Sequence, residues 1–224
     1  MIDRLFRIDI HPDVEAFSSM RDAELPYPVL QPHQTHGTVV MECRPGMTRE
    51  DLEGVDALMT DVPGFAIAVR TADCVPVFMY DPVHKCVSAS HSGWKGTVRS
   101  ISARTLEAMK ARYGTNPEDV LAVIGPSIGP DSFQVGPEVV EAFMAAGFPE
   151  SIASDRGPKL AGTMQGGLHI DLWAACRHTL QESGVQPENI RTVGIDTYAS
   201  NDRFYSARRE GISCGRIINS IKLI

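Results

Sequence analysis

His36, Cys74 and His91 are the residues of this chain best suited to chemistry. Two imidazoles and one thiolate make a three-ligand set for zinc, and three protein ligands with an open fourth position mark a catalytic rather than a structural site. A metal held there lowers the pKa of a bound water or polarises a substrate oxygen, and it keeps Cys74 as thiolate. The same atoms also support metal-free chemistry: Cys74 as nucleophile, His91 as its base, and Asp73 or another acid as the group that orients the ring. Spacing alone does not choose between them, because the three residues are far apart in the chain and match no compact zinc motif. The plain alternatives are an inert buried thiol and hydrogen-bonded structural histidines.

Bringing these residues together is the task of a hairpin. The strand Val75–Tyr80 and a strand near Cys86–Ser90, joined at Asp81-Pro82, put Cys74 and His91 at their outer ends. His36 sits in Gln34-Thr35-His36-Gly37, at a turn before a strand Val39–Met41. Val55–Thr60 and Phe65–Val69 read as further strands of one buried meander that delivers Arg70-Thr71-Ala72-Asp73-Cys74. Apolar positions Val98, Ile101, Leu106 and Met109 predict a helix over Thr97–Tyr113 that stops at Gly114.

Val120–Ile124 reads as a strand entering the stiff loop Gly125–Pro130, and a short helix covers Pro137–Ala146. Residues 150–168 read as a loop. Asp171 caps a helix to Ser183, Gly184 ends it, and strands follow at Arg191–Asp196 and Gly215–Ile224. The first thirty residues offer one edge strand around Leu5, Phe6, Ile8 and Ile10. Strands come in runs, so the class is α+β, and 224 residues suit a single domain, 1–224.

The five cysteines are odd in number and unpaired in spacing, which fits a reducing compartment. The N-terminus lacks the order of a signal peptide and no apolar run reaches bilayer length, so the expected location is the cytoplasm. A net charge of −7 argues against a nucleic-acid partner, since the overall field repels a phosphate backbone. One small anion is still within reach of local basic residues, Arg203, Arg208, Arg209 and Arg216 among them. Trp94, Trp173, Phe133 and Tyr205 are each able to stack on a planar ligand, although core packing explains them equally well.

Several segments, in order, carry a family resemblance: Gln34–Gly37, Val55–Asp61, Thr71-Ala72-Asp73-Cys74-Val75-Pro76, His91-Ser92-Gly93-Trp94-Lys95-Gly96-Thr97, Ile124–Gly129, Phe204–Arg209 and Gly215-Arg216. From about residue 30 to the C-terminus the chain resembles the YfiH or laccase-domain family, also called the multicopper polyphenol oxidase or purine nucleoside phosphorylase family; residues 1–30 are the least family-like part. The resemblance implies a four-layer α/β/β/α sandwich and a metal site on His36, Cys74 and His91. Lys95 stands where arginine is common in the family, which exchanges a planar fork for a point charge.

The resemblance further implies an enzyme, a metal-dependent purine nucleoside phosphorylase. It would cleave adenosine, inosine and S-methyl-5′-thioadenosine with phosphate to the free base and a ribose 1-phosphate, with adenosine deamination as a side activity. Zinc is the expected metal and copper the alternative. Arg70 joins the catalytic trio in this expectation, and Lys95, Arg208 and Arg209 are the expected phosphate-binding residues. The expected partners are nucleosides and phosphate only, with no membrane and a monomeric chain favoured. Two other enzymes and one non-enzyme remain as readings: a copper-dependent polyphenol oxidase, a cysteine-type amide hydrolase acting on a peptidoglycan precursor, and a binding module with a structural metal. The chain's seven histidines include no His-x-His pair of the kind a trinuclear copper cluster uses, which weighs against the oxidase.

Overall fold

Val75–Asp81 is buried along its whole length on both faces, so it must run through the middle of the molecule with a layer on either side. The computed structural model, which describes residues 4–155 and 167–224, shows those layers. The strands in chain order are β1 (Leu5–Arg7), β2 (Val14–Ser19), β3 (Val39–Glu42), β4 (Val55–Thr60), β5 (Ile67–Thr71), β6 (Val75–Asp81), β7 (Cys86–Ser92), β8 (Leu121–Ile124), β9 (Gln134–Val135), β10 (Ala153–Ser154), β11 (Leu168–Ile170), β12 (Ile190–Thr192) and β13 (Ile217–Leu223). The helices are α1 (Trp94–Val98), α2 (Ile101–Tyr113), α3 (Pro137–Ala145), α4 (Leu172–Glu182) and α5 (Ala207–Glu210).

Six strands form the larger sheet in the order β12-β8-β6-β7-β4-β3, and four form a second in the order β1-β2-β13-β5. Alternation along β6 separates two cores. Val75, Val77 and Met79 face Leu106, Met109, Phe143 and Leu180 of the helices, whereas Phe78 and Tyr80 face Ile67, Val69 and Ile221 of the second sheet. Helix, sheet and sheet thus stack in that order. On the outer face of the second sheet Tyr27, from irregular chain, packs edge-on to Phe17, and at the sheet's edge Phe204, just ahead of α5, packs edge-on to Phe6. The mixed α+β class holds, with a small third sheet β10-β11-β9 beside the helical layer.

Five local expectations need correction. β5 is not a member of a meander with β4 and β6; it pairs with β13 in the other sheet. The chain therefore changes sheets between Thr71 and Val75, where Asp73 takes a positive φ of 85°. The long helix begins earlier than expected and is broken in two, because Ser100 adopts a left-handed φ of 59° and caps back onto the carbonyl of Thr97. The N-terminal thirty residues carry two strands, β1 at the edge and β2 inside the sheet, with Val14, Ala16 and Phe17 buried. The last-but-one strand, β12, is short and pairs in parallel with β8. The expected loop over 150–168 includes β10, and its glycine-rich part lies outside the described residues.

Candidate active site

The β6–β7 hairpin pairs Val75 with Ser92 and Pro76 with His91 at its open end, so Cys74 and His91 meet as its topology requires. β4 lies on the other side of β7, with Ala57 opposite Ser90. That register sets Asp56 across from His91, and their side chains meet on the face between the sheets: His91 Nδ1 lies 2.8 Å from Asp56 Oδ1.

Asp56 also organises the third residue. Its carboxylate accepts hydrogen bonds from three successive backbone N–H groups, those of Thr35, His36 and Gly37, at 3.1, 3.0 and 2.7 Å. His36 is held there in the left-handed region, φ 60°, where a non-glycine residue persists only when its surroundings over-determine it. The other side of this loop is tied to β5. Gln34 accepts from the backbone N–H of Arg70 at 2.7 Å and donates to its carbonyl at 2.8 Å. One short loop is thus fastened to both sheets, and it presents His36 at their junction.

As a result His36, Cys74 and His91 offer ligand atoms that all lie within 4.8 Å of one another. Cys74 Sγ is 3.9 Å from His36 Nε2. In a tetrahedral site with bonds of about 2.0–2.1 Å to nitrogen and about 2.3 Å to sulfur, donor atoms stand roughly 3.5 Å apart, so the Cys74–His36 pair is near that spacing and the widest pair needs to close by no more than about 1.3 Å. The bond from His91 Nδ1 to Asp56 leaves Nε2 for the metal, the usual carboxylate–histidine support of a ligating imidazole. Space is also kept clear: a Cβ at Gly93 would stand 3.0 Å from both Cys74 Sγ and His36 Cδ2. The donor set and its supports fit a divalent metal.

The electrostatics of the bare trio are those of an ion pair. Burial pushes the Cys74 thiol up, but His91 and His36 pull it down further, to about 6. Burial pulls His91 down, but the Cys74 sulfur and Asp56 raise it to about 9. Asp56 itself is pushed up by burial, and the bonds from His91, Gly37 and Thr35 outweigh that and leave it below its ordinary value.

Asp73 is not the group that orients His91. Its carboxylate accepts from Thr197 Oγ1 at 2.8 Å and from the backbone N–H of Arg208 at 2.7 Å, and its carbonyl accepts from Ile128. These bonds hold the positive-φ turn that presents Cys74 and fasten the start of α5 beside it.

A cleft of about 600 Å³ opens over the trio, and its lining includes Arg49, Arg70 and Arg216 and no carboxylate. Arg70 is half-buried and points no side-chain donor at a protein acceptor among the described residues; its Nε is sealed from solvent and without a partner. Burial, and then the neighbouring charges of Arg49 and Arg216, hold its pKa below the usual guanidinium value.

The other three basic residues expected at the site lie off this cleft. Lys95, on α1, stands over the Trp94 ring. Arg208 donates to the Gln134 carbonyl and lies over Phe133, in a second cleft of about 500 Å³ that also includes Trp94 and Glu138. Arg209 donates to the Tyr198 carbonyl and lies over that ring. Of the remaining aromatics, Trp173 donates to Ser127 Oγ and Tyr205 lies under Arg21. Asp56 and Arg49 are the residues whose place in the site the sequence did not single out. An acid inside the apolar strand Val55–Thr60 was a signal for the first, and nothing in the sequence set Arg49 apart; Arg216, named with the late basic residues as within reach of a small anion, does line the cleft.

Comparison with known proteins places the chain in a family. Residues 13–224 match the profile of the multi-copper polyphenol oxidoreductase laccase family. A purine nucleoside phosphorylase of Bacteroides thetaiotaomicron is 41% identical over 208 residues, spanning 90% of this chain and 75% of that one. Adenosine deaminase RL5, from an unknown prokaryotic organism, is 43% identical over 170 residues, 76% of this chain and 63% of the relative. In three dimensions the chain is similar to the crystal structure of the Bacillus licheniformis hypothetical protein YfiH, with a TM-score of 0.87 and 25% identity over 99% of this chain and 97% of the other.

Proposed function

This chain belongs to the multi-copper polyphenol oxidoreductase laccase family, and from that premise we propose that it is a purine nucleoside phosphorylase. It takes adenosine, inosine and S-methyl-5′-thioadenosine, and zinc is its metal. The observation that carries the reading is one cleft that joins a His-Cys-His donor set to a cationic wall containing Arg70, beside relatives that bear the phosphorylase name.

In phosphorolysis a phosphate oxygen forms a bond to the anomeric carbon as the bond from that carbon to the purine nitrogen breaks, and the departing nitrogen takes up a proton. Positive charge grows on the sugar meanwhile, so an anion held beside it and fixed dipoles around it lower the barrier. His36, Cys74 and His91 would hold the metal, which supplies Lewis acidity at its open position. Asp56 keeps His91 in the tautomer with Nδ1 protonated and fixes the loop that carries His36. Arg70 meets the anion. No helix among the described residues is long and apolar enough to cross a membrane, and the ligands are small molecules.

The test is release of adenine from adenosine and hypoxanthine from inosine, with and without phosphate, by wild type, Cys74→Ala and His36→Ala. The expected result is phosphate-dependent release that both variants lose by at least about 100-fold. Equal release without phosphate sinks the phosphorylase reading. Ammonia from adenosine under the same conditions measures the deaminase side activity that the name of the second relative suggests.

One observation favours a second reading. A Cys74 thiol drawn down to about 6 beside a raised His91 is the pair a cysteine-type amide hydrolase uses. Loss of base release on metal removal, with no covalent trapping of Cys74 by an amide-derived electrophile, leaves the phosphorylase reading alone. A polyphenol oxidase has less support, because His36, Cys74 and His91 are the one group of three or more potential ligands among the described residues.

A further inference from the structure

We infer that Arg49, Arg70 and Arg216 form an oxyanion site that seats a phosphate group beside the His36–Cys74–His91 trio. This deepens the phosphorylase reading and rests on it only for which oxyanion is the natural ligand.

Like charges do not converge in a fold without a reason. The chain as a whole carries an excess of acid, 28 Asp and Glu against 21 Lys and Arg, yet this cleft gathers three guanidinium groups and no carboxylate. Several arginines elsewhere are paired with carboxylates. Arg44 bridges Glu42 and Asp61, Arg112 pairs with Glu42, and Arg21 pairs with Glu210. Among the described residues none of the three cleft arginines is in an ion pair. Among the described residues the side chain of Arg49 makes no hydrogen bond, although it shares its turn with Glu50 and Asp51. Arg70 is the sharpest case: among the described residues none of its five N–H donors meets a protein acceptor, and water does not reach its Nε. A buried donor left unpaired costs stability, and an anion drawn to the rest of the fork offsets that cost.

The backbone holds these side chains where the sheets meet. Arg70 ends β5, and its peptide is clamped on both sides by Gln34. Arg216 uses part of its fork on its own loop, donating to the carbonyls of Ile212, Cys214 and Gly215. That brings the 212–215 turn against the cleft and leaves Nε and one further N–H without an acceptor among the described residues. A tetrahedral oxyanion with several acceptor oxygens suits three forks of this kind better than a carboxylate or halide does.

Binding of inorganic phosphate, measured by titration calorimetry on the full chain, tests the site without turnover. The variants are Arg49→Gln, Arg70→Gln and Arg216→Gln, with Arg70→Lys to keep the charge and remove the fork, and Arg112→Gln as a charge loss outside the cleft. Wild type is expected to bind phosphate, Arg70→Gln to lose about tenfold or more, and Arg49→Gln and Arg216→Gln to lose about three- to tenfold each. Arg70→Lys should fall between, and Arg112→Gln should match wild type.

Arg49→Gln is the decisive variant, because Arg49 is exposed and its side chain has no hydrogen bond or ion pair among the described residues, and an unchanged melting temperature checks that the fold is kept. Repeating the series in Cys74→Ala separates the arginines from any phosphate held by metal, and the arginine-dependent binding should persist there. Absence of phosphate binding in wild type, or wild-type affinity in all three glutamine variants, overturns the inference. Arginine-dependent binding without phosphorolysis upholds the site and sinks the phosphorylase reading. Phosphorolysis whose KM for phosphate is unmoved in all three variants does the reverse.

Discussion

The two ends of the cleft are built on opposite plans. At the histidine–cysteine end nearly every polar atom is already spoken for: one buried carboxylate, Asp56, accepts from His91 and from three backbone N–H groups. At the arginine end the charged groups have few protein partners or none, and Arg70 carries an unpaired buried donor. The first arrangement fixes positions before a ligand arrives, as a metal with strict geometry demands. The second leaves donors waiting, as suits a ligand that comes and goes in every cycle. The difference indicates which end holds a resident group and which a passing one.

The sharpest way to break the comparison is to take away the fixed carboxylate. Asp56→Ala leaves His91 and three backbone N–H groups without their acceptor, and breaking a buried pair such as Asp56–His91 destabilises by about 3–5 kcal/mol. The urea midpoint should fall accordingly, and purified protein should carry little zinc. A variant with wild-type midpoint and metal content would show that the loop bearing His36 is held by something other than Asp56.

A smaller effect is expected from Gly93→Ala, which adds one methyl group at the metal-facing wall. The backbone of Gly93 is extended, with φ −65° and ψ 163°, so alanine fits it without strain, and only the space is contested. The new Cβ would press on Cys74 Sγ and His36 Cδ2, both 3.0 Å away. Zinc affinity, read by competition with a chromogenic chelator, should drop roughly 10–100-fold while the far-ultraviolet circular dichroism stays that of wild type. Phosphate affinity at the arginine end should hold, since Gly93 lies outside that wall. Equal losses at both ends would mean that they are a single coupled unit.

How much of this was legible in the sequence follows the same division. The trio could be read because it depends on local signals: a hairpin joins Cys74 to His91, and a turn glycine follows His36. The hairpin itself was legible from its alternation and its Asp81-Pro82 turn, and so were the helix stops at Gly114 and Gly184. The jump of β5 into the second sheet was not, because Ile67–Thr71 is as apolar as a strand of either sheet, and only its register with β13 decides.

The grouping of the arginines was not legible for a related reason. Arg70 and Arg216 were each named, but Arg49, Arg70 and Arg216 come from three distant segments and converge only once the sheets are stacked, whereas Arg208 and Arg209 draw the eye as neighbours. Sequence adjacency is no guide to a free fork. The guanidinium groups of Arg208 and Arg209 lie over Phe133 and Tyr198 and donate to backbone carbonyls.

The smallest effect concerns the rim between the two ends. α5 starts at Ala207, which lines the cleft, and the Arg208 N–H anchors it to Asp73 beside Cys74. Its last residue, Glu210, is gripped by Arg21, by the backbone N–H of Ser206 and by Asn201, and Arg21 comes from the N-terminal segment that looks least like the family. The Arg21 guanidinium, with help from Ser206 and Asn201, holds the Glu210 carboxyl down at about 2. A carboxyl whose pKa is lower in the folded state stabilises the fold above its unfolded value of 4.5, and this contribution fades as pH falls from there towards 2. The pair is partly exposed, so its worth is no more than about 1 kcal/mol, or about 2–4 °C in Tm for a chain of this size. Wild type should therefore melt slightly above Glu210→Gln at neutral pH, with the gap closing through that acid window. A gap that persists below it would mean that Glu210 supports the rim through shape rather than charge. No gap at any pH would leave Asp73 alone as the anchor of α5.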